Sequence, residues 1–377
     1  MPSICLNMIV KNEAPVIRRC LDSVRPLIST WCILDTGSTD GTQELIREHF
    51  RDLPGQLHQS DWKGFGASRS EAIQLARPQA DYLFFIDADA ELILPAGYRL
   101  PDLTEPCYEF AHRLADTTFF RRDLVSTRLD WRYVGVLHEY IDCGLPCPPN
   151  PIRGPLVQER PEGARSRDPL KYQKDVLTLE RALRDEPQNE RYQFYLAQSQ
   201  KDAGQLERAV ASYRRRAAMG GWGEEVYISL LRVAELLEVL DRPESEVLGA
   251  YLDAHEARPA RAECLAGLAR YLRGRRKFHL AALFAGEGMA RPIPGDRLFV
   301  VESCHTWRCL DEFAVAAYWC GRHQECLEAC DRLLAEGFLP AEEVERVRAN
   351  RAFAARALGL VAEPPDPPRA ERTLESA

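Results

Sequence analysis

At 377 residues the chain exceeds the usual span of one compact domain, so two domains, or one domain joined to a repeat array, are expected. Its 45% hydrophobic and 28% charged residues exclude a disordered, collagen-like or purely coiled-coil chain. With 49 Lys+Arg against 57 Asp+Glu the net charge is −8, which argues against a general nucleic-acid binder while leaving room for a locally basic groove.

Up to about residue 142, short apolar runs alternate with amphipathic segments, the pattern of βαβ units and a mainly parallel sheet. Ser3–Val10 reads as a strand and Ala14–Ser23 as a helix. Cys32–Asp35 is a second strand, and Asp40-Gly41-Thr42 opens a helix through Phe50, with Asp40 placed to accept the free N–H groups of its first turn. Leu57–Ser60 is a third candidate strand, Ala67–Ala76 a helix, and Tyr82–Ile86 a continuous apolar run suited to a strand covered on both faces. Trp131–Tyr140 reads as an amphipathic strand.

Seven prolines between Gly144 and Pro169 predict a connector or covering loop, residues 144–170, with neither helix nor central strand. From residue 171 to 362 the spacing is that of paired amphipathic helices without strands. Pro187 and Pro259 lie 72 residues apart, near two periods of a 34-residue helical-hairpin repeat. Tyr195…Ala197…Gly204…Ala209…Tyr213 and Leu268-Ala269…Gly274…Ala281…Phe284 share one scheme of large and small residues, with a weaker copy at Ala317–Cys330. The stretch Val226–Ala254 is degenerate. The Pro-rich tail, 363–377, is expected to be disordered.

None of the 12 cysteines forms a C-x-x-C pair, so buried reduced thiols are expected rather than a metal cluster or disulfide framework. Met1-Pro2-Ser3 has neither the basic region nor the apolar run of a signal peptide, and no apolar stretch approaches the roughly 20 residues that cross a bilayer. A cytoplasmic protein without a transmembrane segment is expected.

Two acidic turns carry the chemistry. Ile33-Leu34-Asp35 ends a strand and runs into Thr36-Gly37-Ser38-Thr39-Asp40; ligands of open α/β sheets bind at such strand ends, where a carboxylate can accept a uracil imide N–H or a ribose hydroxyl. Phe84-Phe85-Ile86-Asp87-Ala88-Asp89-Ala90-Glu91 ends another buried strand. Two carboxylates one residue apart can there serve a ribose and a divalent cation, and hard oxygen ligands suit Mg²⁺ or Mn²⁺.

Together with Met8-Ile9-Val10-Lys11-Asn12-Glu13 and Gly66-Ala67-Ser68-Arg69-Ser70-Glu71-Ala72, these turns make residues 3–91 resemble family 2 glycosyltransferases of the GT-A fold, which implies an α/β domain of that fold at 1–143, and residues 171–362 resemble tetratricopeptide repeats. The family commonly has Arg-Asn where Arg69-Ser70 stands, and Glu where Ala90 follows the D-x-D. The resemblance implies a nucleotide-sugar site of Val10, Glu13, Asp35, Arg69, Asp87, Ala88 and Asp89: Asp35 at the base, Arg69 at the nucleotide, Asp87 on the ribose side and Asp89 on Mn²⁺ or Mg²⁺. Trp131-Arg132-Tyr133-Val134-Gly135-Val136-Leu137-His138-Glu139 resembles the subgroup carrying such repeats, which implies His138 as a second metal ligand. Glu139 and Glu91 are the leading candidates for the base of an inverting transfer, ahead of Asp116 and Asp130. Arg167 and Lys171 are placed to fold over a diphosphate, and Trp62 and Phe65 to stack on a sugar.

The expected activity is metal-dependent transfer from a UDP-sugar to a peptide or protein recruited by the repeats, since the chain also resembles the peptide glycosyltransferases of glycocin bacteriocins. A lipopolysaccharide core or another cell-envelope glycan, with a lipid-linked acceptor and the repeats forming a homodimer, is the enzymatic alternative. A repeat scaffold on a vestigial nucleotide-binding domain is the non-enzymatic one. Nucleic acid is not an expected partner. Deleting residues 172–377 is expected to spare nucleotide binding.

Overall fold

The computed structural model describes residues 2–360; the expected tail at 363–377 lies outside them. The chain divides into two compact units, residues 1–258 with 295–301, and residues 259–294 with those from 302 onward. The first unit opens with β1 (Ile4–Val10), α1 (Ile17–Val24), β2 (Thr30–Asp35), α2 (Thr42–His49), β3 (Gly55–Gln59), α3 (Phe65–Ala76) and β4 (Tyr82–Phe85). These are the expected βαβ units, and β3, β2, β1 and β4 lie side by side in parallel. Then come β5 (Glu91–Ile93), β6 (Cys107–Leu114), β7 (Thr117–Ser126), β8 (Arg132–Val134), β9 (Tyr140–Asp142) and β10 (Asn150–Gln158). The sheet order is β3-β2-β1-β4-β7-β6-β10-β5, with β7 antiparallel to both its neighbours and β6 parallel to β10.

Period-2 alternation sorts side chains to the two faces of the sheet. Leu6, Met8, Ile33, Phe84 and Phe110 pack with Ile17 and Leu21 of α1 and Ile46 of α2, whereas Cys5, Cys32, Leu83 and Phe85 pack with Ile73 and Ala76 of α3 and with Trp131. Cysteines thus serve as small apolar core residues, and all twelve are free. Burial pushes the thiol of Cys107 up to about 12, which keeps it protonated.

Two expectations about the middle of the chain are corrected. The proline-rich stretch 144–170 is not only a connector, because Asn150–Gln158 enters the sheet between β6 and β5. Its ladder to β6 shifts register between Pro151 and Leu156, so Pro155 falls within an irregularity where a missing N–H costs no regular ladder bond. The single strand expected at Trp131–Tyr140 is instead the two-stranded hairpin of β8 and β9, which leaves residues 135–139 as its loop.

Helices follow as expected. The first unit holds α4 (Lys171–Asp185), α5 (Glu190–Asp202), α6 (Leu206–Met219), α7 (Gly223–Val239) and α8 (Glu244–Ala257), each packed on the next. Asn189 caps α5 by accepting the Tyr192 N–H, two residues after Pro187. The large and small residues of the repeat pattern, Tyr195, Ala197, Ala209 and Tyr213, are buried, and Gly204 makes the intervening turn at φ 75°. The second unit holds α9 (Glu263–Gly274), α10 (Phe278–Met289), α11 (Cys309–Trp319), α12 (His323–Ala335) and α13 (Ala341–Ala357). No described helix is long and apolar enough to cross a membrane.

A strand also occurs where none was expected: β11 (Val300–Val301) pairs antiparallel with the start of β7. The segment leading to it ties the sheet to the helices. Glu224 at the start of α7 accepts the N–H groups of Arg297 and Leu298, the Phe120 N–H bonds the Arg297 carbonyl, and Arg297 pairs with Glu109 of β6. Phe299 lies between Phe119 of β7 and Phe194 of α5. Sheet and first helices are therefore packed together through residues 297–301, so removing residues 172–377 takes away a partner of β7. A chain ending at residue 171 should melt lower than the full protein and exchange its β7 amides faster, as read by calorimetry and hydrogen exchange. Full-length protection of β7 in the truncated chain would contradict this coupling.

Candidate active site

Val10 and Asp35 are paired at the carboxyl ends of β1 and β2, and the turn after β4 brings Asp87, Ala88 and Asp89 to the same edge. Asp35 is buried, and its Oδ1 accepts the N–H groups of Gly37 (2.8 Å) and Ser38 (2.9 Å) and the Gln43 amide (3.2 Å). Its Oδ2 is buried with no hydrogen-bond partner. Asp40 has the structural role expected of it. It accepts hydrogen bonds from the Thr42 hydroxyl, the Ala14 N–H and the Thr42 N–H at the start of α2, which together hold its pKa low against partial dehydration. The Asn12 side chain (φ 59°) accepts the Thr39 N–H, so the β1 and β2 turns brace each other.

Asp87 sits between two guanidinium groups, Arg69 of α3 at 2.5 Å and Arg121 of β7 at 3.1 Å. Burial disfavours its charge, but the two arginines outweigh that and hold its carboxyl far below the usual range. Arg121 also reaches Asp123 and Glu159, and His112 bonds both of those carboxylates, at 2.5 and 2.7 Å. Neither Arg121 nor this network was found from the sequence. The available signal was Arg121-x-Asp123, two opposite charges on one face of a strand.

Asp89 and Glu13 form a second, less satisfied carboxylate pair. Asp89 Oδ2 accepts the Gly163 N–H at 2.9 Å, and Glu13 accepts the Ala164 N–H. A Cβ at Gly163 would lie 2.9 Å from Asp89 and 3.2 Å from Glu13, so only glycine allows this approach. Loss of hydration raises both pKa values; repulsion by Asp89 adds to that of Glu13, which reaches about 7, and repulsion by Asp87 and Glu159 adds to that of Asp89. Two hard-oxygen donors short of positive charge fit a divalent cation that takes its remaining ligands from a diphosphate and water. Among the described residues no three His, Cys, Asp or Glu side chains converge as a closed metal cage.

His138 lies against the ring of Tyr195 of α5, with centroids 3.9 Å apart and planes 4° from parallel. Crowding by protein and the charges of Arg165, Arg191, Lys171 and Arg121 hold its pKa down, to about 3. Glu139 packs beside Gly66 at the start of α3; its Oε1 is buried, without a hydrogen-bond partner, and 3.9 Å from Arg69 Nε. Glu91, the other candidate base, is held by two N–H groups of Arg160, and Asp130 pairs with Arg77. Arg167 donates to the Asn12 carbonyl, while Trp62 packs edge-on against Phe65, itself covered by Arg165 at 4.4 Å.

The sheet gathers Asp35, Asp87 and Asp89 at its strand ends, with arginines beside them, at the edge where open α/β sheets bind their ligands. Residues 5–133 match the family described as Glycosyl transferase family 2, and this part of the chain is a domain of that family. Over 101 residues the chain is 41% identical to a TPR repeat-containing protein of Synechococcus elongatus, covering 26% of this chain and 24% of that one. Over 89 residues it is 35% identical to the SPbeta prophage-derived glycosyltransferase SunS of Bacillus subtilis, covering 23% and 20%. These matches span about a quarter or less of each relative. Among solved structures, a tetratricopeptide repeat protein from Parabacteroides merdae aligns with TM-score 0.37 and 17% identity over 50% of this chain and 68% of the other. S. aureus TarS in complex with UDP-GlcNAc aligns with TM-score 0.31 and 13% identity over 68% and 91%.

The His112 network yields a pH-dependent prediction. Burial opposes a charged ring, but Asp123 and Glu159 prevail and raise its pKa above the ordinary 6.5 or so. A raised folded-state pKa contributes stability that is fully present below the unfolded value and is lost as pH rises through the folded one. His112→Gln should cost about 3 kcal/mol in urea denaturation at pH 6, with a smaller deficit at pH 9. An equal deficit at both pH values would show that the ring is neutral in the folded protein.

Proposed function

We propose that the protein is an inverting glycosyltransferase that moves a sugar from a UDP-sugar to a peptide or protein acceptor. The observation that carries this reading is a pair of buried acceptor oxygens without donors, Asp35 Oδ2 and Glu139 Oε1, at the edge where strand ends, arginines and the Asp89–Glu13 pair meet. Leaving such atoms unpaired costs about 1–3 kcal/mol each, a cost that a bound ligand with matching donors removes.

In this reading Asp35 Oδ2 accepts the imide N–H of uracil, beside Val10, and the Arg69–Asp87–Arg121 clamp presents an ordered charged edge to the ribose and diphosphate. Asp89, with His138 as the further ligand the family resemblance implies, would hold Mn²⁺ or Mg²⁺. When bound, such an ion offsets the negative charge that develops on the departing diphosphate. Arg165, Arg167 and Lys171, in the segment after β10, supply cations on the same side.

Glu139 is assigned as the base. Its free oxygen takes the proton of the acceptor as that atom attacks the anomeric carbon, the bond to the diphosphate breaks on the opposite side, and the configuration inverts. Arg69 Nε lies 3.9 Å from that oxygen. Glu91 is the weaker candidate because Arg160 occupies its carboxylate. The paired helices support recruitment of an extended polypeptide, as solenoid surfaces do.

Hydrolysis of UDP-sugars in the presence of Mn²⁺ tests the reading. The parent should release UDP, Asp89→Ala should lose about 100-fold or more in kcat, and Asp35→Ala should weaken UDP binding about tenfold, near 1.4 kcal/mol. Release unaffected by either substitution, or absent from the parent with every UDP-sugar, overturns it. Intact-mass analysis of peptides co-expressed with the protein then reports sugar and acceptor together.

A further inference from the structure

We infer that Arg191 and Tyr195 of α5 are positioning residues for the His138–Glu139 pair, so that the first helical hairpin completes the active site as well as serving acceptor recruitment. This rests on the transferase reading above, with Glu139 as base. His138 has φ 50°, the left-handed region that costs a non-glycine residue about 1–3 kcal/mol and persists only where its surroundings over-determine it.

Those surroundings are one helix. Arg191 donates from Nε and Nη2 to the His138 carbonyl, at 2.8 and 2.7 Å, a forked pair that fixes the peptide group between His138 and Glu139. The Tyr195 ring lies flat on the imidazole at 3.9 Å, while the Arg191 guanidinium lies over the rings of both Tyr195 and Tyr140, at 4.9 and 5.4 Å. The ring edge of Tyr192 would lie 3.8 Å from a Cβ at Gly135. Positions 191, 192 and 195 fall on one face of a helix, so a single rigid surface grips residues 135–140.

The other side of the loop is α3: Ser70 Oγ accepts the Tyr133 N–H, and Gly66 lies against the Gly135 carbonyl. Glu139 is thereby aimed at Arg69 by two helices from different parts of the chain. Phe194, next to Tyr195, packs on Phe299, which packs on Phe119, and Phe119 stacks on His112. The grip of α5 is thus registered to β7, which carries Arg121 of the Asp87 clamp.

The test uses full-length protein with uniformly ¹³C-labelled histidine, His138→Gln assigning the signal, and UDP-sugar hydrolysis with Mn²⁺ on the same samples. In the parent and in Tyr195→Phe, which keeps the stack, the His138 ring protons should be shifted upfield, and kcat should agree within about threefold. In Tyr195→Leu the shift should vanish and kcat fall about 10–100-fold, the usual effect of removing a residue that orients another, while donor KM stays within about threefold. Arg191→Gln, at a half-buried position, should lower kcat similarly if Tyr195→Leu does not fold. An unshifted His138 ring in the parent, or parental kcat in Tyr195→Leu or Arg191→Gln, overturns the positioning role. A shifted ring in a parent that is inert towards every UDP-sugar keeps the α5 geometry and overturns the transferase reading instead.

Discussion

Asp87 ends a fully covered strand with its carboxylate between the guanidinium groups of Arg69 and Arg121, and three structural elements depend on that contact. Arg69 fixes the start of α3 against the strand ends and stands near Glu139. Arg121 carries the contact into β7 and on to Asp123, Glu159 and His112. A buried carboxylate with one cation would be poorly compensated; with two, one of them shared with further carboxylates, the charges are satisfied as a network. That requirement brings the antiparallel strand β7 into a site whose other residues come from the parallel half of the sheet.

The same edge shows a contrast between satisfied and unsatisfied acid groups. Asp87 and Glu91 have arginine partners, and Asp40 has backbone donors. Asp89 and Glu13 share a crowded corner closed by the N–H groups of Gly163 and Ala164, while one oxygen each of Asp35 and Glu139 has none. A folded chain retains uncompensated acceptors where a ligand supplies the missing donors or charge, and these four carboxylates, Glu139 reaching the edge from the β8–β9 loop, are what supports the nucleotide-sugar reading proposed above.

Much of this was legible in the sequence, for identifiable reasons. Alternating apolar runs located β1, β2 and β4 because parallel strands buried on both faces leave a strong local signal, and Asp35, Asp87 and Asp89 stood out because they terminate such runs. Helical periodicity and the Pro187 and Pro259 spacing located the helical half for the same reason. What escaped is non-local. Asn150–Gln158 looks like a loop because proline has low strand propensity, and only the irregular ladder beside β6 accommodates it. Val300–Val301 is too short to carry a pattern. Arg121 and Arg191 carried no signal of their own and Tyr195 read only as a large residue of the repeat, because their roles arise from contacts between segments far apart in the chain.

The central claim, that the strand-end carboxylates form a UDP-sugar site, is tested most directly by isothermal titration of the full-length protein with UDP in the presence and absence of Mn²⁺. The account predicts one UDP bound per chain, more tightly with Mn²⁺, with the Mn²⁺-dependent gain lost in Asp89→Ala and the remaining affinity reduced in Asp35→Ala. Absence of any binding up to about 1 mM UDP with the ion present, or affinity indifferent to both substitutions, would contradict it.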